Sequence, residues 1–153
     1  TKIDQATEDE PTMGDYHILM QFDIAADQPT VHRALSTETG IRSWWSSRTE
    51  LGEGQLRVSF PDVPQPFEFA VARDDEARVE WVTGGFPPWW AGTTIRWDLA
   101  PNPDAPGTRL QFGHRDYDAD NPVIPIVTPA WAQIILRLKG YAESGTPQPF
   151  FDF

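Results

Sequence analysis

The sequence contains no cysteine. That absence excludes a disulfide-stapled scaffold, a thiol nucleophile and thiolate metal sites. Cations are scarce as well: 12 Lys and Arg stand against 23 Asp and Glu, a net charge of −11 over 153 residues. Phosphate backbones and anionic membranes are bound by basic surfaces, so neither a nucleic-acid partner nor membrane insertion is expected. No apolar run approaches the ~20 residues of a membrane-spanning helix, and the N-terminus shows no charged-then-apolar signal pattern. A cytoplasmic setting is expected. The three histidines, His17, His32 and His114, are scattered along the chain. Without cysteines beside them they make no transition-metal site, and no cofactor is expected.

Several catalytic and binding motifs are missing too. No G-x-S-x-G occurs, so a hydrolase elbow is absent. Gly52 and Gly54 begin a G-x-G, but Arg57 follows and no helix does, which argues against dinucleotide binding. Asp116, Asp118 and Asp120 begin like a calcium loop. Asn121 then stands where the glycine belongs and Val127 where the bidentate Glu belongs, so a solvated acidic loop is expected.

What the chain does have is tryptophan, 7 residues, and proline, 15 residues. Residues 1–14 carry few large apolar side chains and four carboxylates, which predicts a loose arm. From residue 15 onward a single domain is expected. In YHILMQFDI, Ile18, Met20, Phe22 and Ile24 alternate with polar residues, the period of a half-buried strand. Asp27, with Pro29 behind it, marks a helix start over TVHRALS, and Thr37 to Gly40 restarts a short second helix that runs into Trp44 and Trp45. Five further alternating segments follow: QLRVSF, FEFAVAR, ARVEWVT, TTIRWDL and TRLQFGH. Their inward sets include Phe69, Trp81, Trp97, Phe112 and His114, with Arg96 and Asp98 on the outer side. Between the third and fourth, residues 84–90 form a loop dense in aromatics and prolines. From Val127 the apolar spacing becomes helical, with Thr128–Pro129 read as the start and Gly145 as the stop. About 18 residues at ~1.5 Å each give a helix of ~27 Å. The expected fold class is α+β: a curved antiparallel sheet of about six strands around a long C-terminal helix, with two short helices after the first strand. The sheet's apolar face needs a cover, and the long helix is the large one available.

SxxTGIRSWWS at residues 36–46 and WAQIILRLKGYAESGTPQPF at residues 131–150 resemble the START-like (SRPBCC) superfamily. More narrowly, the chain resembles the branch related to the activator of the heat-shock-protein-90 ATPase and to polyketide cyclase-like proteins. The opening is carried by Ala25, Leu35, Trp44 and Trp45, and the closing motif by Trp131, Leu138, Tyr141, Glu143, Gly145 and Pro147. The likeness spans residues 15–150 and departs in the middle, at SFPDVPQPFEF. It implies a helix-grip fold with a hydrophobic cavity between sheet and helix. It also implies three functions: binding of a lipid- or polyketide-like ligand, a cyclase- or dehydratase-like enzyme, or a co-chaperone that stimulates a heat-shock ATPase in the stress response.

The residues themselves point to a small hydrophobic or aromatic guest, neutral because few charges face inward. The candidate ligand-binding set is Trp44, Trp45, Phe69, Trp81, Phe86, Trp89, Trp90, Trp97, Phe112, His114, Trp131 and Ile135. Large aromatics also fill cores, so the same set can be packing alone. His114 is the inward titratable group. It reads either as a core histidine hydrogen-bonded to Trp, Thr or backbone, or as a polar anchor and catalytic acid/base. Thr83, Thr93 and Thr108 share its side. Whether the protein is an enzyme stays open on this reading. A homodimer is among the expected partners.

Overall fold

The structure, a computed structural model, describes residues 16–118 and 120–153. The arm expected over residues 1–14 lies outside the described residues. In chain order the elements are β1 (Ile18–Ile24), α1 (Gln28–Ser36), α2 (Glu38–Trp44), β2 (Thr49–Gly52), β3 (Gln55–Val58), β4 (Phe67–Asp75), β5 (Arg78–Thr83), β6 (Thr94–Pro101), β7 (Thr108–Arg115) and α3 (Ile124–Ser144). The strands form one antiparallel sheet of seven in the order β1-β7-β6-β5-β4-β3-β2. The sheet is curved and unclosed, and α3 lies along its apolar face, so the architecture is the α+β helix grip.

Local chemistry accounts for the boundaries. The Asp27 carboxylate accepts from Thr30 N at 3.0 Å and caps α1, and Thr37 Oγ1 accepts from Gly40 N at 3.0 Å and caps α2. Gly145 ends α3 in the left-handed conformation at φ 76°, its N–H bonded to Tyr141 O. Across β1 and β7, Ile18 pairs with His114, Met20 with Phe112, Phe22 with Leu110 and Ile24 with Thr108. That register places the inward residues of both strands over α3.

Three expectations need correction. The sheet has seven strands and not six, because Thr49–Gly52 pairs with Gln55–Val58 through a two-residue turn. Glu53 (φ 52°) and Gly54 (φ 75°) both have positive φ, the geometry that matches strand twist in tight hairpins. The G-x-G is therefore a hairpin turn. The terminal helix starts at Ile124, one turn before Thr128, and Pro129 lies inside it. Pro129 forgoes only the bond to the Pro125 carbonyl, at an exposed position in the helix's second turn. Finally, the outer side, where half-buried strands put their polar residues toward water, is not uniformly wet. Arg96 is buried there at 7 % exposure, paired with Asp98 at 2.8 Å and covered by Tyr16. The Tyr16 ring lies within 6 Å of the Arg96 and Arg115 guanidiniums and packs on Gly113.

Gly107, in the β6–β7 turn, has φ 121°, and a Cβ there would sit 2.3 Å from the Ile24 carbonyl oxygen. Both the backbone angle and the approach of the chain end of β1 require glycine. Gly107→Ala is expected to lower unfolding free energy by about 2–3 kcal/mol in urea titrations. A loss below about 0.5 kcal/mol would show that the turn does not constrain the fold.

Candidate functional site

The middle of the grip is filled by rings. Trp44 and Trp45 end α2, Trp81 comes from β5, Trp97 from β6, Phe112 from β7 and Trp131 from α3. The Trp44–Trp45 and Trp45–Trp81 planes are parallel within 6°, with centroids 5.9 Å apart in both pairs. Trp97 meets Trp44 and Trp81 edge-on at 5.6 and 5.4 Å, and Phe112 lies 4.8 Å from both Trp97 and Trp131. All six are at most 1 % exposed. The enclosed hollow expected between sheet and helix is therefore not at the centre, because indole volume occupies it.

Space remains at one end. A cleft of about 290 Å³ opens to the surface there. Its walls come from five segments: Trp45 after α2; Phe60, Pro61, Val63 and Phe67 from the β3–β4 region; Trp89 and Trp90 from the β5–β6 loop; Val127, Ala130, Trp131 and Ile134 from α3; and Phe151 from the C-terminal tail. The tail is held against α2 by main-chain bonds: Gln148 N to Ser43 O, Phe150 N to Trp44 O, Phe151 N to Trp45 O and Ser47 N to Phe151 O, all 2.9–3.0 Å. Trp89 is 43 % exposed at the mouth.

Of the residues singled out from sequence, the structure brings Trp45, Trp89, Trp90 and Trp131 together on the cleft. Trp44, Phe69, Trp81, Trp97, Phe112 and Ile135 are packed in the core and do not line it, and half-buried Phe86 stands behind Phe67 at 5.9 Å. His114 is fully buried and off the lining. Sequence reasoning missed the other eight lining residues: Phe67 on β4, Val127, Ala130 and Ile134 on α3, and Phe60, Pro61, Val63 and Phe151. The last four are apolar residues in or beside the Pro-rich stretches at residues 61–66 and 147–149.

His114 is the polar centre behind the cleft. Trp131 Nε1–H donates to His114 Nδ1 at 3.1 Å. An indole N–H can only donate, so Nδ1 is the acceptor and the proton sits on Nε2. Nε2–H then donates to Thr93 Oγ1 at 2.9 Å. Thr93 donates in turn to the Trp90 carbonyl at 2.7 Å, leaving the Thr83 hydroxyl to donate to Thr93 at 3.1 Å. Tyr117 Oη lies 3.3 Å from Nδ1. Burial, helped by the charge of His17, pulls the His114 pKa down to about 3, and burial raises that of Tyr117. The imidazole is thus neutral with both nitrogens engaged. It ties the β5–β6 loop through Trp90 and the helix through Trp131. Among the described residues three buried donors lack this satisfaction: Arg115 Nε on the outer side of the sheet, Trp97 Nε1, and Trp90 Nε1, which has only the Tyr117 hydroxyl nearby. Among the described residues, no three His, Asp or Glu side chains gather as a metal site requires.

With this geometry in hand, solved structures give the comparison. The Aha1 dimer from Colwellia psychrerythraea is similar over 84% of this chain and 96% of its own, at 25% identity and a TM-score of 0.73. The AHSA1-like protein from Aeromonas hydrophila matches over 84% and 92%, at 17% identity and 0.63. CalU16 from Micromonospora echinospora matches over 86% and 76%, at 19% identity and 0.59. The fold is the START-like helix grip, in the form that Aha1-like proteins have. No family model and no curated protein matches the sequence. Within this START-like frame, the Trp44–Trp45 pair closes α2 and Trp131 pins the gripped helix, which is where the two sequence motifs fall.

The protonation of His114 is directly measurable. The unfolded state takes up its proton near pH 6.5 and the folded state only near 3, so stability is lost as pH falls through that window. The histidine alone is expected to remove about 2 kcal/mol between pH 7 and 5. Nitrogen-15 NMR of the imidazole should show the Nε2–H tautomer throughout that range. A titration midpoint between pH 5 and 7 would mean that the ring is solvated and the network as described is wrong.

Proposed function

We propose that the cleft binds a small hydrophobic or aromatic molecule. The observation that carries this reading is the lining, in which all twelve side chains are apolar or aromatic. Pockets of this kind bury most of a guest's surface among rings. The volume of about 290 Å³ is roughly twice that of a cavity that takes one benzene ring, so a guest of two or three rings fits. The exposed indole of Trp89 at the mouth is costly in water and gains most from being covered.

Binding is favoured over a cyclase- or dehydratase-like activity because a proton donor or acceptor must touch the guest, and no lining side chain titrates. On this reading His114 acts as a positioning residue for Trp90 and Trp131. A homodimer and a cytoplasmic setting belong to the same proposal. The Colwellia structure is that of a dimer, and no described helix is long and apolar enough to cross a membrane.

Titration with the neutral fluorescent probe N-phenyl-1-naphthylamine tests the reading. Trp89→Ala should weaken binding about 5- to 30-fold by removing one ring contact. Ala130→Trp should abolish it by filling the cleft. Unchanged affinity in both folded variants would remove the cleft from consideration as the binding site.

A further inference from the structure

The cleft's wall is neutral, but its surroundings are not. The β3–β4 loop, residues 59–66, contains one charged residue, Asp62, set between the lining residues Pro61 and Val63. The β5–β6 loop, residues 84–93, contains none. The segment leading into α3 carries Asp116, Asp118 and Asp120, and no further charge appears until Arg137. That segment is tied to the mouth by Asn121 Nδ2, which donates to the Trp89 carbonyl at 3.4 Å. In the tail, Asp152 follows the lining residue Phe151. Asp116 is paired with Arg115 at 2.9 Å. Asp62, Asp118, Asp120 and Asp152 are exposed and, among the described residues, make no ion pair. Two cations on neighbouring elements are turned elsewhere: Arg48 donates to Phe153 O, and Arg137 to Gln148 O and Pro149 O.

Aromatic walls and unpaired carboxylates favour the same kind of guest. Indole faces attract a cation placed over them, and such cages hold quaternary ammonium groups in water. Carboxylates within a screening length of ~10 Å add to that attraction without having to touch the guest. An anion meets the opposite field, which disfavours fatty acids and other carboxylates. We infer that the cleft selects small organic cations: an apolar or aromatic body seated among Trp45, Phe67, Trp90 and Trp131, with an amine or quaternary ammonium head at the mouth beside Trp89, in the field of Asp62 and Asp120. The inference rests on the binding reading above and replaces the neutral guest expected from the inward residues alone. The acidic rim sets the sign of the guest, and the aromatic cleft remains the site.

Three probes of one shape separate the two claims: 2-naphthylmethylamine, 2-naphthylmethanol and 2-naphthoate, a cation, a neutral and an anion at pH 7. Each is titrated against the whole chain while the seven tryptophan indole N–H signals are followed by NMR. The amine should bind at least fivefold tighter than the alcohol in 20 mM salt, with the naphthoate weakest. In 0.5 M NaCl the margin should shrink below twofold. Asp62→Asn and Asp120→Asn should each cut the amine-to-alcohol ratio about twofold, and the double variant about fourfold. Asp62 has φ 63° and is exposed, a position asparagine adopts readily, so the variant is expected to fold. Equal affinity for amine and alcohol in the native protein overturns the cation inference and leaves the cleft reading standing. Failure of all three probes to shift the indole signals overturns both.

Discussion

The bond from Trp131 to His114 is the fastening on which the interior depends. It joins the gripped helix to the sheet at 3.1 Å, through a donor that cannot accept and an acceptor that burial keeps unprotonated. Around it Trp131 touches Trp45, Trp90, Trp97, Phe112 and His114 with centroids 4.8–6.0 Å away. With one large ring pinned there, the sheet side and the helix side interlock and no central void remains. An apolar cleft stays open where α3 presents the smaller Val127, Ala130 and Ile134 to the loops. The position of the cleft is thus a consequence of where the indole is tied.

The same polar chain explains how a loop of residues 84–93, rich in Gly, Pro and Trp, keeps one shape. Its far end is bonded to the sheet through Thr83, Thr93 and His114, all at most 3 % exposed. Buried networks of this kind stabilise only when every member is satisfied, and the assignment of protons above satisfies Thr93 and His114 in full. The price of so many indoles appears elsewhere. An unpartnered buried N–H such as that of Trp97 costs about 1–3 kcal/mol, which the surrounding ring contacts offset.

Much of the fold was legible because strand parity and helical period report which side chains face inward. Phe112 and His114 on β7, Trp81 on β5 and Trp131 on α3 all follow from spacing alone. What spacing does not report is how inward volume is shared. The twelve candidate ligand residues combine inward-facing positions with the aromatics of the α2 end and the residue 84–90 loop, and the packing of Trp44, Trp81, Trp97 and Phe112 against each other leaves four of the twelve on the cleft. The second strand was invisible because TELG offers a single large apolar residue and its turn puts Glu53, a poor left-handed former, at positive φ. The burial of Arg96 depends on Tyr16, 80 positions away, and no local pattern carries such a contact. Phe151 reaches the cleft only through main-chain bonds between the tail and α2, again a non-local event.

The likeness to Aha1-like structures concerns the grip, whereas the site is built from what the grip leaves free. Five separate segments meet at the cleft, and only Phe67 among its lining residues lies within a strand. Fold and site share Trp45, Trp131 and one face of α3 but part company in the loops and the tail, and similarity at 14–25% identity conveys the first without the second. The lining and the rim also act over different distances. Apolar contact works within about 4 Å and governs how long a guest stays. In the binding proposed above, charge on Asp62 and its neighbours works over a screening length and would govern which guests arrive. Because the two are carried by different residues, the proposed affinity and selectivity could be altered separately, and a neutral wall is by itself no guide to the charge of a guest.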